Sequence, residues 1–423
     1  MTQPRIAPLM ALLLALSAPG VLSAQKLLVP MDSRQTNHLK AYGLTYWVLE
    51  QDQTAEWLLN YRAGSFLLPD LPEIRREAAL RGVGAEPIDA GTEAGILQAM
   101  EEGNMERIIL EKAPDIAVYT PDNANPWDDA VTLALEYAEI PYEKIWDGEV
   151  MQGQLGEYDW LHLHHEDFTG QYSKFYITYG ASTWLQEAVR ENEAMAARFG
   201  LPHVPALKKE VAEEIRRYVG EGGFIFAMCT ATETIELALA GADVDIAAPF
   251  SDGTPVDPDA TSRMQWERSM AFRDGEIQTN PSVNAFSDID GHQVNTPWRQ
   301  PLGAFTLFDF SPRFDPVPSM LVQNHESVIA DFYGLTTSFR RDRLKSNVVV
   351  LAEEEGTGWT KYVHGNFGEG TWTFLGGHDP EDPQHQIGDA HTDLDLHPHS
   401  PGYRLILNNV LFPAARKKTL KTN

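Results

Sequence analysis

This 423-residue chain has a single cysteine, Cys229, so no intramolecular disulfide can hold it together. Basic residues are scarce: 33 Lys and Arg stand against 61 Asp and Glu, a formal charge of -28. That deficit weighs against nucleic acid and anionic membrane surfaces as partners, because both are bound by basic faces. After the first two dozen residues no apolar run is long enough to span a bilayer. There is no Gly-Lys-Ser/Thr phosphate loop and no Ser-Gly-Gly-x-Asp-Ser pyrophosphatase loop. ATP-driven chemistry therefore lacks its usual cradle, and no cofactor is expected. No internal repeat is present.

The amino terminus is apolar in a way that has its own meaning. Arg5 precedes an apolar run over 6–16, and small residues follow, ending Leu22-Ser23-Ala24-Gln25. This is the pattern of a secretory signal peptide over 1–25, cut after Ala24 or Gln25. The expected mature protein is exported, and periplasmic in a Gram-negative source. A lone thiol in an exported protein calls for an explanation, either burial as a small hydrophobe or a chemical role.

Residues 26–112 read as an N-terminal α/β subdomain. Strands are expected over 26–30, 57–61 and 65–68, and helices over 37–49, 71–81 and 92–100. From residue 113 strands and helices alternate. Strands fall over 116–120, 142–146, 158–164 and 222–229, with helices over 126–138, 182–197 and 206–219. The rhythm is lost over 250–340, which is rich in Pro, Asp, Gly and Asn and reads as an insertion or lid. It returns over 341–415, with strands at 348–351, 362–364 and 371–375 and a last helix over 403–411. Alternation over 113–249 and 341–415 implies an α/β domain with a parallel sheet covered on both faces. The basic end, Arg416-Lys417-Lys418, reads as a disordered tail.

In an open parallel sheet, ligands bind outside the carboxyl ends of the strands. Three polar clusters occupy expected strand ends: His164-His165-Glu166-Asp167, Cys229, and His378-Asp379-Pro380-Glu381. Cys229 stands between the apolar run Phe224–Met228 and a helix, with Thr230 and Glu233 spaced as a capping box. A helix N-terminus favours thiolate, so a lowered thiol pKa is expected. Thiolate catalysis needs a base and a group that orients it. Cys229, His378 and Glu381 supply nucleophile, base and orienting carboxylate, with Asp379 the rival for the last role. Backbone N–H groups near Thr230, with the loop carrying His164, His165 and Glu166, would stabilise an oxyanion.

Structural readings compete with each of these. Cys229 can be a buried inert thiol, and His378 a loop histidine satisfied by backbone. Strand alternation puts His162 and His164 on one face, where with Glu166 they offer a zinc-like set. Buried histidines bonded to neighbours are commoner, so no metal is expected. His385, His391, His397 and His399 read as a solvated loop. Trp57, Trp127 and Trp160 read as core or cleft wall.

The stretch 115–240, with 368–381 and the final helix, resembles the class I glutamine amidotransferase-like superfamily. Its relatives carry a G-x-C-x-G elbow and a distant His-Pro-Glu; here these stand as Ala227-Met228-Cys229-Thr230-Ala231 and His378-Asp379-Pro380-Glu381. The mature chain is also similar to exported bacterial proteins labelled asparagine synthetase B. That likeness rests on Gln35-Thr36-Asn37-His38-Leu39-Lys40-Ala41-Tyr42-Gly43 and the stretches 158–171 and 400–414. The resemblance implies a flavodoxin-like α/β fold and a glutamine-hydrolysing type of chemistry. The expected function is an exported amidotransferase-like hydrolase acting on a small amide or related carbonyl compound. The alternative is a catalytically silent module holding a sugar or metal through His164, Glu166 and His378.

Overall fold

The computed structural model describes residues 26–125, 129–292, 303–384 and 389–415. The expected signal peptide, Trp127, His385 and the basic tail lie outside the described residues. Those that are described fold into a mixed α/β protein with two sheets.

The first sheet holds β1 (Lys26–Val29), β2 (Ala55–Leu59), β3 (Ser65–Pro69), β4 (Glu86–Ile88) and β5 (Glu106–Leu110), in the order β4-β1-β3-β2-β5. Every pairing in it is antiparallel. Alternate residues serve opposite faces, as the two-residue period of a strand demands. On β2 and β3, Trp57 and Phe66 face the main core while Leu58 and Leu67 face a small cluster closed by Ile96 and Met100 of the helix Ala90–Glu102.

The second sheet holds β6 (Ile116–Tyr119), β7 (Glu143–Ile145), β8 (Trp160–Leu163), β9 (Phe224–Met228), β10 (Ala304–Leu307), β11 (Val328–Ala330), β12 (Val349–Glu354), β13 (Thr360–Phe367) and β14 (Gly370–Leu375). Its order is β11-β10-β12-β13-β14-β9-β8-β6-β7. The five strands from β14 to β7 run parallel, and the other four are antiparallel additions. A wholly parallel sheet is therefore not what forms. β13 and β14 are joined by a two-residue turn with Phe367 opposite Gly370, and so short a link can only reverse the chain. Part of the loop-rich 250–340 region also joins the sheet, supplying β10 and β11 at its edge.

Between the two sheets pack the helices His38–Glu50, Ala130–Ala138 and Pro401–Leu411. Their apolar faces meet Trp57 and Phe66 on one side and Trp160, Phe226 and Met228 on the other in one continuous core. The N-terminal sheet is thus built into the rest of the molecule through a shared core. The far face of the mixed sheet, with Leu161, Ile225, Ala227 and Phe374, packs against the helices Val204–Gly220 and Ala231–Ala240. Trp57 and Trp160 are fully buried, as core residues. No helix among the described residues is long and apolar enough to cross a membrane.

Candidate functional site at the carboxyl ends of β8, β9 and β14

Adjacent parallel strands bring the three polar clusters to one edge. Leu163 pairs with Ala227, and Met228 pairs with Leu375, so His164, Cys229 and Gly376 follow three neighbouring strand ends. The chain turns sharply at Cys229, which has a φ of 49°. A non-glycine residue in this left-handed region stores of the order of 1–3 kcal/mol of strain. A strand-to-helix elbow that projects its side chain at the sheet edge has this geometry.

The expected capping box does not form. Thr230 is helical and makes no side-chain cap bond. Glu233 is turned away from the helix start, accepting from Ser287 Oγ at 2.5 Å and Thr336 Oγ1 at 2.9 Å. Both partners come from the region between the domain halves, and two hydroxyls there outcompete a distant backbone N–H.

The sulfur is sealed. Cys229 is 1% exposed, and its Sγ accepts the Leu335 N–H at 3.3 Å and lies 3.6 Å from Thr230 Oγ1. A Cβ added at Gly334 would stand 2.9 Å from the sulfur, so only glycine lets the loop over 332–338 close this tightly. The loop is tied down at several points. Tyr333 and Thr336 carbonyls accept from the His378 and Gly377 N–H groups, each at 2.8 Å. Asp290 accepts from Thr337 and Ser338 N–H at 3.3 Å. At the loop's start, Asp331 and Lys361 form a fully buried ion pair, and Lys361 also donates to the Phe332 carbonyl at 2.7 Å.

This closure reverses the expected ionisation of the thiol. Burial raises the Cys229 pKa, and the hydrogen bonds from Thr230 and Leu335 that would lower it do not compensate. Desolvation outweighs the helix terminus. Burial likewise pushes Glu233 up to about 8 and Asp290 to about 6.

At the neighbouring strand ends the histidines converge. The His378 ring lies 4.4 Å from that of His164, nearly perpendicular, and 5.8 Å from that of His165, nearly parallel. The His164 and His165 rings are 5.2 Å apart. His162 and His164 share a strand face, and both reach Asp129. His162 Nε2 is 2.9 Å from Asp129 Oδ2, and its Nδ1 is 3.0 Å from the Phe226 carbonyl. His164 Nδ1 lies 3.1 Å from Asp129 Oδ1. Asp129 also N-caps the helix Ala130–Ala138, accepting from Val131 N–H at 2.6 Å. Burial acts to raise its pKa, but His162 and His164 override this and hold it well below the usual carboxylate range.

His162 is therefore engaged on both ring nitrogens, and the set His162, His164 and Glu166 is not assembled as a metal site. Glu166 follows at the same edge, and its carboxyl is pushed up to about 8 by burial. A carboxylic acid tuned to that range is suited to proton transfer.

The His-Asp-Pro-Glu motif divides differently from the expectation. Glu381 pairs with His397, Nδ1 to Oε2 at 2.9 Å, rather than orienting His378. Asp379, buried, accepts from Glu381 N–H at 2.9 Å and Thr392 Oγ1 at 2.8 Å. It builds the turn after β14. The carboxyl-rich loop read as solvated is likewise engaged: His397 holds Glu381, and His399 Nδ1 lies 3.1 Å from His38 Nδ1. The expected oxyanion donors are partly committed, since the Ala231 N–H donates to the His164 carbonyl at 3.0 Å. Asp129 and the Gly334-Leu335 roof were not singled out from sequence. A helix-capping signal at Asp129 was present; nothing local marks Gly334 as the neighbour of a cysteine 105 residues earlier.

No family model and no curated protein matches this chain. Among solved structures it is similar to "Cytoplasmic Protein STM3548 from Salmonella typhimurium", at 10% identity and a TM-score of 0.34, covering 72% of this chain and 100% of that one. It is also similar to "Cytoplasmic Protein STM1381 from Salmonella typhimurium LT2", at 12% identity and a TM-score of 0.33, covering 71% and 100%. A β-galactosidase from Bacillus circulans sp. alkalophilus matches at 12% identity and a TM-score of 0.27, over 64% of this chain and 29% of that one. Similarity at this level carries no argument about chemistry.

Proposed function

We propose that the protein is an exported hydrolase of the class I glutamine amidotransferase-like type, acting on a small amide or related carbonyl compound through Cys229 and His378. The observation that carries this reading is the strained elbow: a left-handed Cys229 at the carboxyl end of β9, with His378 at the end of the neighbouring parallel strand β14. The order of the five parallel strands supports it. Numbered along the chain, β7-β6-β8-β9-β14 is 2-1-3-4-5, the flavodoxin-like order, whose ligands bind at the carboxyl edge.

Because burial keeps the thiol neutral at rest, the chemistry runs by general base catalysis. His378 takes the Cys229 proton as sulfur attacks the carbonyl carbon. The Leu335 N–H, now on the sulfur, and the Thr230 N–H are the donors nearest to a developing oxyanion. The imidazolium gives its proton to the leaving amine, the C–N bond breaks, and water then hydrolyses the thioester with His378 again as base. The loop over 332–338 must lift for substrate to enter.

The sealed sulfur favours a second reading, a silent binding module on the same fold. An activated acyl ester such as p-nitrophenyl acetate separates the two. The hydrolase reading predicts a burst of one acyl group on Cys229, seen by mass spectrometry and lost in Cys229→Ser and His378→Ala. Absence of any acyl-Cys229 in folded wild-type protein leaves the binding module. Recovery of native protein beginning with Met1 would end the export proposal.

A further inference from the structure

We propose that His164, His165 and His378 form a binding site for a divalent transition-metal cation of the zinc type, with a fourth position open to water or a ligand. One ring nitrogen from each histidine lies within 4.8 Å of the other two. Tetrahedral zinc with Zn–N bonds of about 2.0–2.1 Å needs nitrogens about 3.4 Å apart, so the rings must close inward by about an ångström. Side-chain rotation of His165 and His378, both half-buried, supplies that movement.

The second observation is the state of His164. Its side chain is 2% exposed; Nε2 has no hydrogen-bond partner, and Nδ1 stands near Asp129 without a well-aligned hydrogen bond. A buried polar nitrogen left unsatisfied is costly unless something occupies it. The other nitrogen faces Asp129 at 3.1 Å. A metal-bound histidine is held in this way, with a carboxylate behind the ring fixing its orientation and making it a better donor. Asp129 is itself fixed by His162 and by the helix it caps.

The chemistry selects the ion. Three imidazoles suit zinc, copper, nickel or cobalt, whereas magnesium and calcium require oxygen ligands. Two neighbouring groups show the contrast. His162 is engaged on both nitrogens, and the set His292, Asp331 and Glu354 is already served by the Lys361 ammonium on Asp331. Among the described residues, only the trio at the strand ends combines three converging histidines with an open nitrogen. The proposal does not rest on the hydrolase reading. A bound cation would hold the lone pair that His378 needs as a base, so zinc occupancy and acylation of Cys229 should exclude each other.

The test is titration of chelator-treated, full-length protein with zinc chloride, followed by calorimetry and by X-ray absorption of the loaded protein. The expected result is one zinc per chain with three imidazole nitrogens in the absorption spectrum and no binding of magnesium. His165→Ala, at a half-buried position that leaves the core intact, should abolish stoichiometric binding. Asp129→Asn should weaken it by about 10–100-fold. Cys229→Ser should leave it unchanged, which separates this site from the thiol. No stoichiometric binding, or binding that survives His165→Ala at wild-type affinity, would overturn the proposal.

Discussion

Cys229 and His164 follow adjacent parallel strands, yet the structure treats them in opposite ways. The sulfur after β9 is strained, roofed by Gly334 and Leu335, and supplied with backbone hydrogen bonds. The imidazole after β8 is equally buried but has no well-aligned hydrogen bond at either nitrogen, with Asp129 behind one of them. The same contrast holds for the buried carboxyls nearby. Glu233 is pushed up to about 8 by burial despite hydrogen bonds from Ser287 and Thr336, whereas Asp129 meets two imidazoles and is held well below its usual range. Burial alone sets a group in its neutral form, and donors or opposite charge facing it reverse that. Strand order delivers these groups to one edge; the loop and the histidines decide what each can do there.

The largest expected effect comes from breaking the roof at its root. Lys361→Met leaves Asp331 as an unpaired buried charge and should cost roughly 3–5 kcal/mol in chemical denaturation. The surviving folded fraction should show faster alkylation of Cys229, because the loop over 332–338 loses its anchor. A variant as stable as wild type with an equally protected thiol would mean that the ion pair does not hold the roof.

Next is Glu233. Its folded pKa is raised, so the folded state keeps a proton that the unfolded state releases above about pH 4.3. Stability from this group is present at low pH and is lost as pH rises towards 8. Between pH 5 and pH 8 the loss is roughly 3.5 kcal/mol. Glu233→Gln should flatten that slope in pH-dependent thermal denaturation; an unchanged slope would refute the assignment.

Asp129 should behave in the opposite sense. Its folded pKa is depressed, so it contributes stability above the unfolded value of about 3.9, lost as pH falls below it. Asp129→Asn should cost about 2–3 kcal/mol at neutral pH, and the difference from wild type should shrink in acid. Smallest is Gly334→Ala. Its Cβ would press on the sulfur and on the Gly377 backbone, costing about 1–3 kcal/mol and prising the roof open, so Cys229 should label faster at constant pH.

Much of this arrangement was legible in the sequence. The apolar run Phe224–Met228 and the strand over 371–375 were read correctly, and their pairing brings Cys229 and His378 to one edge as expected. His162 and His164 share a face by strand alternation alone. What was not legible depended on contacts between distant segments. The spacing of Thr230 and Glu233 suggested a cap, but Ser287 and Thr336 captured the carboxylate. Glu381 stands three residues from His378 in sequence, but its carboxylate pairs with His397. The thiol's ionisation turned on Leu335 and Gly334, whose arrival over the sulfur no local pattern announces. The antiparallel extension of the sheet followed from a turn, Gly368-Glu369, too short for a crossover.

The most direct test of the Cys229–His378 account is the pH profile of iodoacetamide labelling at Cys229 in folded protein, in wild type, Gly334→Ala and His378→Ala. The account predicts slow labelling in wild type with a midpoint at or above the ordinary thiol value of about 8.5. It predicts faster labelling without a lowered midpoint in Gly334→Ala. Once the roof is loosened, His378→Ala should slow acylation by p-nitrophenyl acetate, because the base is gone. Rapid wild-type labelling with a midpoint well below 8.5, or acylation indifferent to His378, would contradict it.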